Sequence, residues 1–237
     1  MAKEMPQKAS AIIIGNEILT GKIQDTNSKV LAQTLFDCGI RLELIETIPD
    51  QIDRIVKTVR HHASRHDLVF TSGGIGPTHD DVTYEGVSKA FGQQLRLHTE
   101  THQKYMAFYG SEPNEARRKM MLLPEKAKVF WVPELWVPIV FIKPVYVLPG
   151  IPQLFEAALR SIQPRFQGKA FSRALVHSQK AEGDLATELD AVQKQYAELE
   201  IGSYPQPIGA SCKTLISIEG KDEKRVKTAQ QIIEGFI

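Results

Sequence analysis

Blocks of apolar and polar positions alternate along the first half of the chain and predict strands and helices in turn. Ala11–Ile14 is a short β-branched run closed by Gly15, the pattern of a buried strand ending in a turn. Asp25 stands where an N-cap belongs, and Val30, Leu31, Leu35 and Phe36 follow on one helical face that stops near Gly39. Arg41–Ile48 predicts a second strand ended by Pro49, and Ile52, Ile55, Val56 and Val59 predict a helix from about Gln51. Asp67–Thr71 predicts a third strand, followed by the loop Ser72–Asp81 and a helix carrying Val82, Val87 and Phe91. Strands alternating with helices in this way imply right-handed βαβ crossovers and a mostly parallel sheet.

The middle of the chain is less regular. Thr99–Tyr109 and Glu115–Leu122 predict helices, and Val129–Trp131, Ile139–Ile142 and Val145–Leu148 predict strands. Pro149-Gly150-Ile151-Pro152 turns the chain into a helix reaching about Phe166, and the segment Gln167-Gly168-Lys169 is the expected boundary. It divides an α/β domain, 1–167, from a small α+β domain, 168–237. The second contains strands near Phe171–His177, Glu200–Ser203 and Lys213–Glu219, a helix Gly183–Tyr196 and another from Asp222.

Composition narrows the classes. With 237 residues, 42% hydrophobic and 24% charged, the chain is an ordinary globular one, long enough to bury a core without staples. Its 29 basic residues against 28 acidic ones leave a net charge of +1, without the basic excess that general nucleic-acid binding requires. The apolar run Phe130–Ile142 is short and broken by Pro133, Glu134 and Pro138, so no membrane span is expected. Met1–Ser10 is polar and lacks the apolar centre of a signal peptide. Cys38 and Cys212, only two and far apart, suit buried thiols in a reducing compartment, so a cytoplasmic location is expected.

Two loops follow predicted strands, where ligands bind in open parallel sheets. The first runs from Gly15 through Gly21 and Lys22 to Asp25-Thr26-Asn27. It fails as a P-loop, because five residues separate its glycines and Ile23 stands where the magnesium-binding hydroxyl belongs. Asn27 and the loop carboxylates remain ligand candidates, while Asp25 equally fits a helix cap. The second loop carries more chemistry. Gly73, Gly74 and Gly76 allow close backbone approach to an anion at a helix start, and Ser72 and Thr78 add hydroxyls. Asp80 and Asp81 would repel a phosphate unless a divalent cation lies between. Taken as structure alone, the same string is a glycine-rich turn with aspartates at a helix start.

The weaker constellations favour structural roles. His62 and His66 have the spacing of a zinc pair, but no motif glutamate accompanies them, and a solvated helix face is expected there. The same holds for His98 and His102. Trp131 and Trp136 lie among prolines and valines and are expected to pack a core or a subunit contact. No serine or cysteine nucleophile motif is present.

The strings Gly15-Asn-Glu-Ile-Leu-Thr-Gly…Asp25-Thr-Asn27 and Thr71-Ser-Gly-Gly-Ile-Gly-Pro-Thr-His-Asp-Asp-Val-Thr83 resemble the molybdopterin-binding (MoaB/Mog-like) superfamily. Within it, the chain is most similar to the CinA-type nucleotide pyrophosphatase branch and to the molybdopterin-binding-like domain of eukaryotic FAD synthases. Ile48-Pro-Asp50, Leu148-Pro-Gly-Ile-Pro152 and Gly202-Ser-Tyr-Pro205 extend the resemblance over most of the chain. The resemblance implies a three-layer α/β/α fold with a mostly parallel sheet and a small C-terminal α+β module. It also implies divalent-metal-dependent cleavage of a dinucleotide diphosphate, FAD or ADP-ribose.

Carried onto this chain, Ser72, Gly73, Gly74, Gly76, Thr78 and Asn27 would bind the substrate, with Gly150 and Tyr204 bordering the nucleotide. Asp80, Asp81 and Glu17 would be catalytic, and Asp80, Asp81 and Asp25 would hold Mg²⁺, Mn²⁺ or Co²⁺, with potassium a further candidate ion. Many relatives carry a glycine-rich string where this chain has Phe130–Ile142, which leaves that wall of the pocket undefined. The synthetase half of FAD synthases lies beyond Ile237, so neither adenylylation of FMN nor deamidation is expected. A homo-oligomer binding a small molecule, without nucleic acid or membrane, is the expected assembly. Two alternatives stay open: a pterin- or nucleotide-binding module without turnover, and a molybdopterin adenylyltransferase.

Overall fold

The computed structural model describes residues 8–133, 135–166 and 168–237; Glu134, and Gln167 of the expected boundary, lie outside these ranges. It contains two compact units, Met1–Gly168 and Lys169–Ile237. In the first unit the chain runs through β1 (Lys8–Ile14), α1 (Asn16–Leu19), α2 (Asn27–Asp37), β2 (Arg41–Ile48), α3 (Ile52–Ala63), β3 (Leu68–Ser72) and α4 (Thr83–Ala90). It continues through β4 (Leu95–Leu97), α5 (Thr99–Tyr109), α6 (Glu115–Lys119), β5 (Leu122–Pro124), β6 (Lys128–Phe130), β7 (Ile139–Ile142), β8 (Val145–Leu148) and α7 (Pro152–Ile162).

Six of these strands form one sheet in the order β2-β1-β3-β8-β7-β6. The pairs β2–β1, β1–β3 and β3–β8 are parallel, and β7 runs antiparallel to both its neighbours. Side chains of β1 alternate between two cores, as the two-residue period of a strand requires. Ala9, Ala11 and Ile13 meet Leu31 and Leu35 of α2 and Phe155, Leu159 and Ile162 of α7. Ile12 and Ile14 meet Ile55 and Val59 of α3 and Val87 of α4 on the other face. This is the expected three-layer α/β/α arrangement.

Several expectations need correction. The strand expected at Ala11 begins at Lys8. The helix expected over Glu115–Leu122 stops at Lys119, and Leu122–Pro124 instead pairs antiparallel with Leu95–Leu97, which buries Leu123. Pro124 disfavours helical backbone just before it, so the turn of the chain falls between Lys119 and Leu122. The helix from Pro152 ends at Ile162 and tightens to a 3₁₀ turn over Gln163–Arg165, where Pro164 lacks the N–H that a continuing helix needs.

The largest correction concerns His62, which is not on a solvated face but fully buried on α3. Its Nε2 lies 3.1 Å from Glu46 Oε2 on β2, and its Nδ1 lies 2.8 Å from Ser10 Oγ on β1. Glu46 can only accept, so in the neutral ring Nε2–H donates to Glu46 and Nδ1 accepts from the Ser10 hydroxyl. Burial holds this imidazole below its ordinary pKa of 6.5, against the attraction of Glu46, and neighbouring His66 and His61 push the same way. His98, the other expected surface histidine, is half-buried and caps α5, accepting from the Thr101 N–H. His102 is half-buried as well, with its Nε2 at 3.0 Å from Glu112.

The second unit carries β9 (Ser172–Ser178), α8 (Ala186–Gln195), β10 (Glu200–Pro205), β11 (Thr214–Gly220) and α9 (Glu223–Glu234). Its antiparallel sheet has the order β10-β11-β9. Val176, Ile216 and Ile218 of that sheet pack on Leu189 and Val192 of α8 and Val226, Ala229 and Ile233 of α9. Asp222 starts α9 by accepting the N–H groups of Lys224 and Arg225. Cys38 and Cys212 are buried free thiols, as expected. Among the described residues no helix is long and apolar enough to cross a membrane.

The buried imidazole ties stability to pH. The unfolded chain takes up the proton more readily than the native one, so stability should fall as pH drops below about 6.5. Urea unfolding between about pH 7.5 and about pH 5 should show this decline. His62→Leu should cost about 1–3 kcal/mol at the upper pH, because Ser10 loses its partner, and should flatten the acid dependence. An unchanged acid slope in the variant would assign the decline to other groups.

Candidate functional site

The chain leaves β1 toward β2 on one side and leaves β3 toward β8 on the other. The crevice beyond the carboxyl ends of β1 and β3 is therefore the switch point of the sheet. Three loops meet there: Gly15 onward after β1, Gly73 onward after β3, and Pro149-Gly150 after β8. Asn27, the first residue of α2, is buried between them. Its Nδ2 donates to Ser72 Oγ at 2.9 Å and to the Gly150 carbonyl at 2.8 Å. The structure thus brings Asn27, Ser72 and Gly150 together, as their candidate roles require.

The glycine loop is built on close approach. Gly73 and Gly74 both have positive φ, 103° and 66°; the Gly73 N–H donates to the Leu148 carbonyl at 3.2 Å, so the amides turned toward an anion begin at Gly74. A Cβ on Gly73 would come 2.2 Å from the Ile14 carbonyl, and one on Gly150 would come 3.1 Å from Gly73 Cα. Thr83 at the start of α4 locks the loop: its Oγ1 donates to the Gly73 carbonyl and its N–H to that of Gly74.

The acidic residues cluster on one side of this loop. Thr78 Oγ1 lies 2.6 Å from Asp80 Oδ1 and 2.5 Å from Asp81 Oδ2, and the Thr78 N–H also donates to Asp81 Oδ2. A hydroxyl has one proton, so these two carboxylates compete for a single donor. That hydrogen bond holds Asp80 below the ordinary carboxylate range, helped by His79 and Lys119. Asp50 joins the cluster. It accepts the Asn16 N–H at 2.8 Å, and burial raises its pKa, with Glu17, Asp80 and Asp81 adding to the rise.

Asp25 takes the helix-cap role that its place before α2 allows. Its carboxylate accepts the Ser28 N–H at 3.1 Å and the Ser28 hydroxyl, so it caps α2. Among the described residues no three His, Cys, Asp or Glu side chains gather closely enough to hold a metal. The expected trio Asp80, Asp81 and Asp25 is therefore not a protein-made cage.

A cavity of about 630 Å³ opens on the loops. Glu17, Asp25, Asn27, Ser72, Gly73, Gly74, Gly76, Asp81 and Gly150 line it, whereas Thr78 and Asp80 are not part of its wall. Tyr204 belongs to the second unit, where it stands exposed on β10 with its hydroxyl folded back over Gly202. Sequence reasoning missed Asp50, Tyr109 and Arg117; Tyr109 and Arg117 line the cavity, as does Trp136, which also packs on Tyr105 as a core aromatic would. For Asp50 a signal existed in the Pro49-Asp50 end of β2, since a strand end at the switch point faces the crevice.

Residues 10–168 match the family model described as "Probable molybdopterin binding domain". The chain belongs to that family. Residues 170–236 match the model described as "FAD synthase, middle domain". A protein of Archaeoglobus fulgidus is 33% identical over 226 residues, covering 95% of this chain and 96% of the relative. The "Probable FAD synthase" of Caenorhabditis elegans is 30% identical over 98% of this chain, which spans about half of that protein, 51%. Among solved structures, the CinA protein of Thermoplasma acidophilum, titled as of unknown function, has 32% identity and a TM-score of 0.64. That likeness covers 68% of this chain and 98% of the other. The expected CinA and FAD-synthase branch is therefore shown.

Crowding at the loop junction is open to test. Gly92 also has positive φ, 62°, but a Cβ there meets nothing within 4 Å. Gly92→Ala should cost about 1–2 kcal/mol for the left-handed backbone alone. Gly73→Ala should cost at least about twice that, read by urea unfolding, because it adds a collision with Ile14. Equal costs would show that the loops tolerate separation.

Proposed function

We propose that the chain hydrolyses the diphosphate of a dinucleotide with the help of a divalent cation, FAD being the first candidate and ADP-ribose the second. The observation that carries this reading is the pairing of the glycine-loop amides at Gly74–Gly76 with Asp81 on the wall of one cavity. An anion cradle beside carboxylates favours an anionic ligand that arrives with a cation. The two family models, a molybdopterin-binding domain and an FAD synthase middle domain, support a pterin- or nucleotide-class ligand.

The donors fit magnesium-type binding, which uses one or two carboxylates together with substrate phosphates and water. Asp81 and Asp80, linked by Thr78, would be the protein's share. When bound there, the cation would offset charge on the phosphate oxygens during displacement. The protein's own groups do the rest. The amides from Gly74 to Gly76 hold the diphosphate, and the Ser72 hydroxyl is oriented by Asn27. Glu17, folded back over Gly15 and on the cavity wall, would take the proton of an attacking water. Hydrolysis adds one water across the P–O–P bridge. Its oxygen joins one phosphorus and the bridging oxygen leaves on the other, so FAD yields FMN and AMP.

Chromatography of FAD incubated with the full chain and Mg²⁺, Mn²⁺ or Co²⁺ should show equal release of FMN and AMP. Asp81→Ala should lower that rate about 100-fold or more with the circular dichroism spectrum unchanged. No release from FAD, ADP-ribose or NAD with any of the three metals would overturn hydrolysis, and metal-independent binding without product would favour the binding-module reading.

A further inference from the structure

The polar groups of the strand-end loops account for only part of the cavity wall. Much of it is aliphatic and aromatic: Ile18 and Ile23 from the loop after β1, and Leu135, Val137, Tyr109 and Trp136 from elsewhere. A diphosphate has no use for such a surface, since apolar wall offers it no hydrogen bonds in exchange for water. The volume also lies within the roughly 300–1,000 Å³ of sites that enclose whole small molecules.

Two rings on that wall are held in place from behind by a third. Tyr105 is fully buried, and its ring meets Trp136 edge-to-face at 5.0 Å and Tyr109 at 4.6 Å. Tyr109 itself remains 45% exposed. Arg117 completes the group. Its Nη1 donates to the Tyr105 hydroxyl at 3.2 Å, and its guanidinium lies 5.3 Å from the Tyr109 ring centre. No other cation is among the described residues lining the cavity. Of the five guanidinium N–H groups one is directed to Tyr105, which leaves donors for a ligand. The arm is also tied to the phosphate loop, because Lys119, two residues on, donates its Nζ to the Thr78 carbonyl at 2.7 Å.

We propose that Trp136, Tyr109 and Arg117 form a subsite for a flat heteroaromatic ring, the base or flavin of a nucleotide whose phosphates lie in the glycine loop. Trp136 and Tyr109 stand edge-to-face, 76° apart with centroids 6.1 Å from each other. The ligand ring therefore stacks on the face of Trp136 and meets Tyr109 at its edge, and Arg117 donates to acceptors on the ligand's rim. Rings held rigid by a buried neighbour lose little freedom on stacking, so the contact contributes directly to affinity. The ring subsite rests on the diphosphate reading of the same cavity, yet it is measured by binding alone.

Dissociation constants for FMN, AMP and inorganic diphosphate test it, read by calorimetry and by quenching of tryptophan fluorescence in a Trp131→Phe background, where Trp136 is the sole reporter. FMN or AMP should bind at least about tenfold tighter than diphosphate and quench Trp136. Trp136→Ala should weaken that ligand about tenfold, and Trp136→Phe should restore affinity to within about threefold. Tyr109→Leu, at a half-exposed position, gives a second reading if the first variant fails to fold. A response to FMN alone assigns the ring as a flavin, and a response to AMP alone as a purine. Equal affinity for diphosphate and both nucleotides, or affinities unmoved by folded variants, would overturn the subsite. Ring-dependent binding without FAD cleavage would leave the subsite standing and remove the hydrolase; cleavage with unmoved affinities would do the reverse.

Discussion

One side-chain amide holds the ends of three strands to a common point. Asn27 has two side-chain N–H groups and directs one to Ser72 at the end of β3 and one to Gly150 after β8, while its own backbone opens α2, which follows β1. Each bond is worth only about 1 kcal/mol net, but a buried amide that lost them would leave three polar groups without water or partner. The penalty for opening exceeds the gain from closing. The loops are consequently held at a separation where Gly73 Cα meets the backbone of Gly150, and the cradle is set before any ligand arrives.

The charge distribution has the same local character. A net charge of +1 over the chain gives no long-range field worth the name, yet Glu17, Asp50, Asp80 and Asp81 influence one another across one loop. Asp50 is pushed up by burial and Asp80 is held down by the Thr78 hydroxyl, so neighbouring carboxylates differ in their readiness to ionise. Their separation is created by burial and hydrogen bonding within a few ångströms and leaves no trace in overall composition.

Much of this is legible in the sequence where physics is periodic or short-ranged. The β-branched run of β1, the apolar face of α3 and the glycine string after β3 each specify their own geometry. Asn27, Ser72 and the glycines can be chosen because a strand end followed by such a loop has few other uses. His62 is misplaced when weighed by its neighbours His61 and His66 instead of by its phase. It stands three residues after Val59 and seven after Ile55, on the face that α3 buries, and Ser10 supplies a polar partner inside β1. Tyr109, Arg117 and Trp136 are out of reach for another reason. They come from the end of α5, from α6 and from the loop before β7, and only tertiary folding around Tyr105 makes them neighbours.

The closeness of Gly73 and Gly150 has a consequence for reading other chains. Gly150 lacks room for a side chain because Gly73 lies against it, and Gly73, 77 positions earlier, lacks room because the Ile14 carbonyl lies against it. Each is held by its own neighbour, and together they set how closely the three loops meet. A chain that keeps the fold but carries a bulkier residue at either position has given up the shared point of the three loops, however well the remainder aligns. Two letters, far apart in the text of a protein, then serve as a single word.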